Sequence, residues 1–288
     1  MIAKAGDVNA QNWCGNTVLH EAVNYGAARC VQLLLATGAD PTIARLDGCT
    51  PLHIARQHDL LPHHHSQREM VEQASRILPM LVCAAMVRGN ESWIQARNKN
   101  EETILHRHAR AGYPANCRKL IELGADPNAR DKRGQTPLHQ AILGTSEYLQ
   151  PEEKKRHIET CLVLLDHGTD LSQEGVPNYQ RYARCAASRD LYQVFDAILN
   201  KGVQPDLPTN AGHLMCLAAR FGRQDRIQQL LDWGADINAQ GNEESTALHQ
   251  AARIKDLQLC KFLIANGADV NARDQRGQTP LFELFDRW

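Results

Sequence analysis

Histidine and cysteine supply the side chains in this sequence that could bind a metal ion or act as nucleophiles. Among its 13 histidines, His58 and the run His63-His64-His65 form a short tract, and neighbouring imidazoles can share one ion. No cysteine or carboxylate pair at ligand spacing accompanies the tract. A solvated loop is therefore the favoured interpretation, and an enzyme or metal site is the alternative.

Five other histidines recur in one context, as the last residue of a Thr-x-Leu-His block. This regularity predicts a structural role, in which each ring forms hydrogen bonds to a neighbouring loop, rather than catalysis. His108 is different, because it stands where other repeats have Ala218 and Ala251, and no pattern explains its ring. The five histidines of the block are His20, His53, His106, His139 and His249.

The 9 cysteines are odd in number and contain no CxxC pair, which predicts free thiols in a reducing compartment. Three of them share one position, seven residues before a glycine that ends a helix, where a small buried apolar side chain is expected. No motif accompanies Cys83 or Cys185 as a nucleophile, and phosphate-loop, HExxH and GxSxG motifs are missing. We therefore expect no enzyme and no cofactor. The three cysteines are Cys117, Cys161 and Cys260.

The charge balance excludes a strong field around the protein. Lys plus Arg number 32 and Asp plus Glu 33, so the net charge of −1 favours neither nucleic acid nor an acidic membrane as partner. The longest apolar run, Ile77 to Val87, is too short to span a bilayer and contains Pro79. We expect a soluble monomer in the cytoplasm, with the nucleus as the alternative.

A repeat of 33 residues supplies the elements that position these side chains. Pro137 suits the first turn of a helix, and the Thr136 hydroxyl can cap that turn. A second apolar helix follows and ends at a glycine, after which turn-forming residues such as Asp269–Gly277 predict a hairpin loop. The first position of the block recurs at Thr17, Thr50, Thr103, Thr136, Arg181, His213, Thr246 and Thr279.

The runs Asp131–His139 (DKRGQTPLH) and Gly267–Ala272 (GADVNA) resemble the ankyrin-repeat family almost residue for residue. The resemblance implies an all-α solenoid of stacked helix-turn-helix units with β-hairpin loops, in which each unit buries its apolar face against its neighbours. We predict one domain over residues 1–288, with about seven repeats, near 11–44, 45–97, 98–130, 131–175, 176–207 (degenerate), 208–240 and 241–273, and a partial cap at 274–288.

The chain departs from the repeat at its ends and at two inserts. Residues 2–10 resemble the tail of an earlier unit, and Phe282, Leu284 and Phe285 are expected to pack on repeat 7. One insert, at 57–66, precedes a helix that should end near Val87. The other, at 143–156, contains Pro151-Glu152-Glu153, a good helix start. The inserts are interpreted either as tolerated loop variation or as a specialised contact surface.

The resemblance implies that a protein partner binds the concave face formed by hairpin tips and first helices, so a scaffold or adaptor is expected. A targeting module of a larger protein, such as a bacterial effector acting in host cytosol, and an enzyme or metal site in the inserts are the alternatives. Asparagines of the hairpins also resemble sites of an asparaginyl hydroxylase: Asn128, Asn238 and Asn271. The partner-binding residues are predicted to be Trp13, Tyr25, Leu46, Lys99, Arg110, Lys132, Arg133, Arg220, Phe221, Arg253, Ile254 and Arg276.

Overall fold

The computed structural model of the chain describes residues 7–55, 76–89, 91–145, 149–171, 182, 186, 191–201 and 207–283. The chain divides into two compact units, Met1–Thr169 and Asp170–Trp288. The division falls inside the fourth repeat, 131–175, and the single domain stays a prediction. His58, His63-His64-His65, the insert at 57–66, Cys185, Leu284 and Phe285 lie outside the described residues.

The first unit consists of paired helices separated by loops. We call the first helix of each repeat its inner helix and the second its outer helix. The inner helices here are α1, α3, α5 and α7. The helices of the unit are α1 (Val18–Asn24), α2 (Ala28–Ala36), α3 (Pro51–Ile54), α4 (Ile77–Val87), α5 (Ile104–Arg110), α6 (Pro114–Glu122), α7 (Pro137–Gly144) and α8 (Pro151–Asp166).

The second unit repeats this arrangement, with α10, α12 and α14 as inner helices. Its α10 is longer than any inner helix of the first unit, because residues 207–212, which form a hairpin in other repeats, here continue the helix. The helices are α9 (Tyr192–Asn200), α10 (Leu207–Arg220), α11 (Gln224–Asp232), α12 (Ala247–Arg253), α13 (Leu257–Ala265) and α14 (Pro280–Glu283).

Helices of the same kind stack on each other. Within the first unit α1 contacts α3, α3 contacts α5, and α5 contacts α7, while outer helix α2 contacts α4 and α6 contacts α8. Within the second unit α10 contacts α12, and α12 contacts α14. Inner helices other than α14 also pack on the outer helix of their own repeat, for example α5 on α6. This layering confirms the predicted helix-turn-helix repeat.

Small and aliphatic side chains fill the space between the helices. Leu105, Cys117, Leu120 and Cys161 are completely buried, as predicted for the two cysteines, and burial raises the pKa of both thiols. Cys260, in the third copy of that position, is only half-buried. It lies on α13, and no later outer helix packs on α13 in the described part of the chain.

The hairpin loops are tight turns rather than strands. In one of them the Asp131 carboxylate accepts hydrogen bonds from the backbone N–H groups of Arg133 and Gln135, each at 2.8 Å. The Gly134 N–H closes the turn on the Asp131 carbonyl at 2.8 Å. Across the described residues, β pairing is limited to one isolated bridge between Arg97 and Thr103. The side-chain hydrogen bonds of the turn take the place of the strand ladder that the β-hairpin prediction implied.

The structure confirms the sequence prediction for residues 7–10 and contradicts the one for Phe282. The Asn9 side-chain oxygen accepts the Asp40 N–H at 2.8 Å, as that of Asn238 accepts the Asp269 N–H at 2.8 Å, so residues 7–10 behave as the tail of an earlier unit. The predicted packing of Phe282 is wrong, because this side chain is 59% exposed. Its helix α14 has four residues, and the buried side chain of this helix is that of Pro280.

The insert at 143–156 lengthens an outer helix. Helix α8 begins at Pro151, as predicted, and its 16 residues compare with nine in α6, the outer helix of the preceding repeat. The Gln150 side chain and Glu153 form a capping box at its first turn. Helix α4 ends at Val87, which confirms the predicted end of the helix after the other insert.

Candidate partner-binding surface

Within each unit, the hairpin tips recur once per repeat. The term hairpin tips refers to Trp13, Leu46, Lys99 and Lys132 in the first unit and to Asn242 and Gln275 in the second. All of these residues are exposed. The Trp13 side chain is 89% exposed and that of Leu46 is 64% exposed, although both are large and apolar. Such exposure confirms the surface placement predicted for these two residues and for the tip lysines.

Backbone hydrogen bonds hold neighbouring tips together. The N–H groups of Leu46, Lys99 and Lys132 donate to a carbonyl in the preceding hairpin at 3.2, 2.8 and 2.9 Å, and that of Gln275 does the same at 2.8 Å. Gly15 makes one such approach possible, since a Cβ atom there would lie 2.7 Å from the Leu46 nitrogen. The tips are therefore fixed by the backbone and present their side chains in defined positions.

The ends of the inner helices carry most of the other predicted binding residues. Tyr25 follows α1 and is 72% exposed, and Ile254 holds the same position after α12 with 39% exposure. Exposed arginines end the inner helices of three repeats. Near the tips, Arg133 and Arg276 are exposed as well. The three helix-end arginines are Arg110, Arg220 and Arg253.

Phe221 differs from the prediction of an exposed side chain. It is half-buried, and its ring centroid lies 5.2 Å from that of Tyr192 at an interplanar angle of 50°. The Arg223 guanidinium covers the same tyrosine at 4.7 Å from the ring centroid. Phe221 therefore has a packing role through contacts with the degenerate fifth repeat, which sequence pattern did not predict.

The repeated histidines have the predicted structural role. The Thr17 N–H donates to Nδ1 of His20 at 3.1 Å, and Nε2 of that ring faces the Cys49 carbonyl of the next repeat at 3.2 Å. Because a carbonyl oxygen only accepts, Nε2 carries the ring proton. The same arrangement occurs at His53, His106 and His249. His139 is buried in the same position.

His108 links three segments of the first unit. Its Nε2 donates to the Leu52 carbonyl of α3 at 3.1 Å, and its Nδ1 accepts from the Asn116 amide of α6 at 3.1 Å. The ring is tilted against Tyr113, with centroids 6.0 Å apart. Burial lowers the pKa of His108 to about 4, so the ring is neutral at pH 7. The only sequence signal for this bridge is a polar Asn116 on an otherwise apolar helix face.

A cavity of about 340 Å³ joins the predicted binding surface to the insert of repeat 4. We name it the arginine pocket, and define it by Arg107, Arg110, Glu153, Arg156 and His157. The first two residues belong to α5, and the other three to the first turns of α8, which the insert adds. The sequence predicted Arg110 as a binding residue and left the insert open between loop variation and a contact surface, but it did not place the two together.

Two observations on the described residues bear on the metal and nucleophile alternatives. No group of three or more His, Cys, Asp or Glu side chains within them is placed to hold a metal ion. Cys216 donates to the Ser245 carbonyl at 3.1 Å, and burial raises its pKa to about 12, which disfavours the reactive thiolate. In the same part of the chain, no helix combines the length and apolar character of a membrane crossing.

Comparisons with known proteins agree with the fold. Family models described as ankyrin repeats match residues 2–55, 69–175 and 214–284. The chain is 26% identical to the E3 ubiquitin-protein ligase KEG of Arabidopsis thaliana, over 97% of this chain and 16% of that protein. It is 25% identical to neurogenic locus notch homolog protein 1 of Homo sapiens, over 84% of this chain and 8% of that protein. The chain thus spans less than a fifth of these relatives.

Among solved structures, the chain is similar to an ankyrin repeat domain from Acinetobacter baumannii AYE. It shares 19% sequence identity with a TM-score of 0.49, over 70% of this chain and 89% of that chain.

Proposed function

Because the chain belongs to the ankyrin-repeat family, we propose that it is an interaction scaffold or adaptor that binds a protein partner through its hairpin tips and the ends of its inner helices. Ankyrin repeats are generally protein–protein interaction modules. A repeat scaffold of this kind presents an extended surface along its stack, and a partner can contact several repeats at once.

The observation that carries the proposal is the exposure of Trp13, Tyr25 and Leu46 on consecutive repeats. Burial of apolar surface favours association, and aromatic residues often dominate interface energies. Backbone hydrogen bonds between hairpins hold the main chain at Leu46 and next to Trp13 in place before a partner arrives. Binding therefore requires little further ordering of the backbone at these two tips.

The tips also indicate what the partner presents. The apolar tips Trp13 and Leu46 are followed in the first unit by the exposed cations Lys99, Lys132 and Arg133. A complementary partner has an apolar group opposite the first two repeats and acidic or mixed polar groups opposite the next two. Charge complementarity of this kind mainly increases the association rate and the specificity.

Affinity purification from a cell lysate, followed by mass spectrometry, tests the proposal. The wild-type protein is compared with a Trp13→Ala, Tyr25→Ala, Leu46→Ala variant whose helicity is checked by circular dichroism. We expect a protein that is captured by the wild type and lost by the variant, because truncation of an interface hot spot, a class enriched in Trp and Tyr, costs about 2 kcal/mol or more.

The matched control replaces two apolar side chains of comparable exposure on outer helices, Leu33→Ala and Val87→Ala. These side chains are 52% and 87% exposed and lie on α2 and α4, away from the hairpin tips in sequence. The control should retain the captured protein. Equal capture by all three forms would contradict binding through the hairpin tips.

A further inference from the structure

Helices α13 and α14 of the second unit carry an exposed group of apolar side chains. Leu257, Cys260 and Ile264 lie on one side of α13, because their spacing of three and four residues follows the turn of a helix. Cys260 is half-buried and the other two are exposed, as are Leu281 and Phe282 on α14. We name these five residues the α13–α14 face.

Two positions of this face are completely buried in other repeats. Leu281 is 62% exposed, whereas the leucine in the same place of the Thr-x-Leu-His block has no exposed surface in four other repeats. The position of Cys260 is likewise completely buried in three other repeats. The α13–α14 face thus contains positions that are covered elsewhere in the chain. The buried equivalents are Leu19, Leu52, Leu105 and Leu138 for Leu281, and Val31, Cys117 and Ile227 for Cys260.

Helix packing in the first unit indicates what covers such a face. Outer helix α4 packs both on α3, the inner helix of its own repeat, and on α2, the outer helix of the repeat before. In the same way, α8 packs on α7 and on α6. Helices α14 and α13 are the corresponding pair, but the described residues contain no outer helix after α14. A single helix lying on α13 and α14 would complete the arrangement.

The outer helices of the chain also indicate the length and pattern of the helix that fits. Helices α2, α6 and α11 have nine residues each, with apolar side chains at the fourth, seventh and eighth positions. In α11 these side chains are Ile227, Leu230 and Leu231. Because the α13–α14 face is uncharged, it favours an amphipathic helix that turns such an apolar stripe towards it.

The face adjoins the predicted partner-binding residues in the sequence. Ile254, exposed at the end of α12, precedes Leu257 by three residues, and Arg276 lies in the hairpin before α14. A partner that contacts Ile254 and Arg276 therefore lies within a few residues of the face on both helices. This continuity favours the protein partner, rather than a second copy of the chain, as the source of the helix.

We propose that the α13–α14 face binds one amphipathic helix of the protein partner, an inference that rests on the proposed function. The helix packs as an outer helix does, with apolar residues at positions i, i+3 and i+4 against α13 and α14. Docking of an amphipathic helix on an apolar surface is a common mode of peptide recognition. Burial of Leu281, Phe282 and Ile264 against the apolar stripe favours the complex.

The probe for the test is a blocked peptide with the sequence of residues 223–235, which contain α11. A side-chain lactam joins the substitutions Gln224→Lys and Gln228→Glu at two exposed positions, because so short a peptide needs a constraint to stay helical. Iodoacetamide alkylation of Cys260 is followed by mass spectrometry of the full chain after digestion. Saturating peptide should slow this alkylation by about tenfold or more. The exposed Cys30 and Cys83 of the first unit should react at unchanged rates.

The variant Ile264→Ala, Leu281→Ala alters two exposed side chains and should fold. We expect it to need about tenfold more peptide for half-maximal protection of Cys260, since it loses apolar contact area. The matched control Leu33→Ala changes a 52% exposed side chain on α2 and should bind as the wild type does. A peptide with Ile227→Asp and Leu230→Asp in its apolar stripe should give no protection.

Three results would overturn the proposal: unchanged alkylation of Cys260 with the helical peptide, equal protection by the aspartate peptide, or equal protection of the double variant. A dimer seen by sedimentation velocity and abolished in the double variant would assign the face to a second copy and overturn it as well. The hairpin-tip variant changes residues of the first unit only, so it should still bind the peptide. Failure of the proposed function and failure of this inference are therefore distinguishable.

Discussion

The ring of His108 lies fully buried between α3 and α6, with both of its nitrogens in hydrogen bonds. An alanine in this position, as in Ala218 and Ala251, needs no partner. The histidine instead replaces a small side chain by a polar bridge between consecutive repeats. Buried polar groups of this kind stabilise a fold only while all their hydrogen bonds are made. His108 is thus a structural residue in the first unit.

Protonation of His108 should weaken the fold in mild acid. Its pKa is about 4 in the folded protein and 6.5 without burial, so between these values the unfolded chain binds more protons. Stability therefore falls as the pH drops from 6.5 towards 4, with a share from this group of about 1.4 kcal/mol per pH unit. Urea unfolding at pH 7 and pH 5 should show a smaller acid loss in His108→Leu than in the wild type. Equal losses would contradict this assignment.

The hairpin asparagines differ in how firmly their amides are held, and the predicted hydroxylation should follow that difference. The Asn238 amide donates to the Gly267 carbonyl at 3.1 Å and accepts the Asp269 N–H, and the Asn128 amide donates to Gly168 at 2.9 Å. Asn271 is exposed, and its side-chain amide forms no hydrogen bond to another hairpin within the described residues.

After incubation with the asparaginyl hydroxylase that modifies ankyrin hairpins, mass spectrometry should detect one added oxygen atom sooner on the Asn271 peptide than on the Asn238 peptide. The physical reason is that the enzyme must first break the bonds between hairpins to reach Asn238. No added oxygen on any of the three peptides would remove the hydroxylation hypothesis.

At the scale of the element, hydrogen bonds and glycines hold the hairpin loops in place. Asp131 closes one hairpin, and Asn12 and Asn98 close two others in the same way. A backbone N–H links the tips Leu46, Lys99, Lys132 and Gln275 to the previous hairpin. Gly15 and Gly48 allow this link, since a Cβ atom on either would lie within 3 Å of the next hairpin. Their positive φ values, 79° and 81°, also favour glycine.

Alanine at Gly15 should therefore destabilise the first unit more than alanine at Gly134. Both glycines have positive φ, 79° and 68°, so both substitutions carry about 1–2 kcal/mol of backbone strain. Only Gly15 adds a clash, at 2.7 Å from the Leu46 nitrogen, whereas nothing lies within 4 Å of a Cβ atom at Gly134. Urea unfolding should show an extra loss of about 1–3 kcal/mol for Gly15→Ala. Equal losses would mean that the hairpin link is not tight.

At the scale of the whole molecule, positive and negative charges nearly cancel, whereas exposed apolar and cationic side chains lie at particular hairpin tips. The net charge of −1 excludes a general field, so the proposed binding would depend on local surfaces. In the first unit, the apolar tips Trp13 and Leu46 and the cationic tips Lys99 and Lys132 differ in their chemistry. A partner that matches them would present apolar and acidic groups on one extended face.

The sequence by itself determined the repeat, the helices and their caps. These depend on residues close together in the chain, as in the capping box of Thr17 with His20, three residues apart. It also predicted the exposure of Trp13 and Tyr25, because their positions in the repeat face away from the stack.

Only the tertiary structure decided which distant side chains meet. His108 forms a hydrogen bond to Leu52, 56 residues away. Phe221 is half-buried because its ring packs against Tyr192, which belongs to the degenerate fifth repeat. The arginine pocket likewise needs an insert helix to close over the end of α5. No local period encodes these contacts, because they depend on how side chains of particular shape fill the space between repeats.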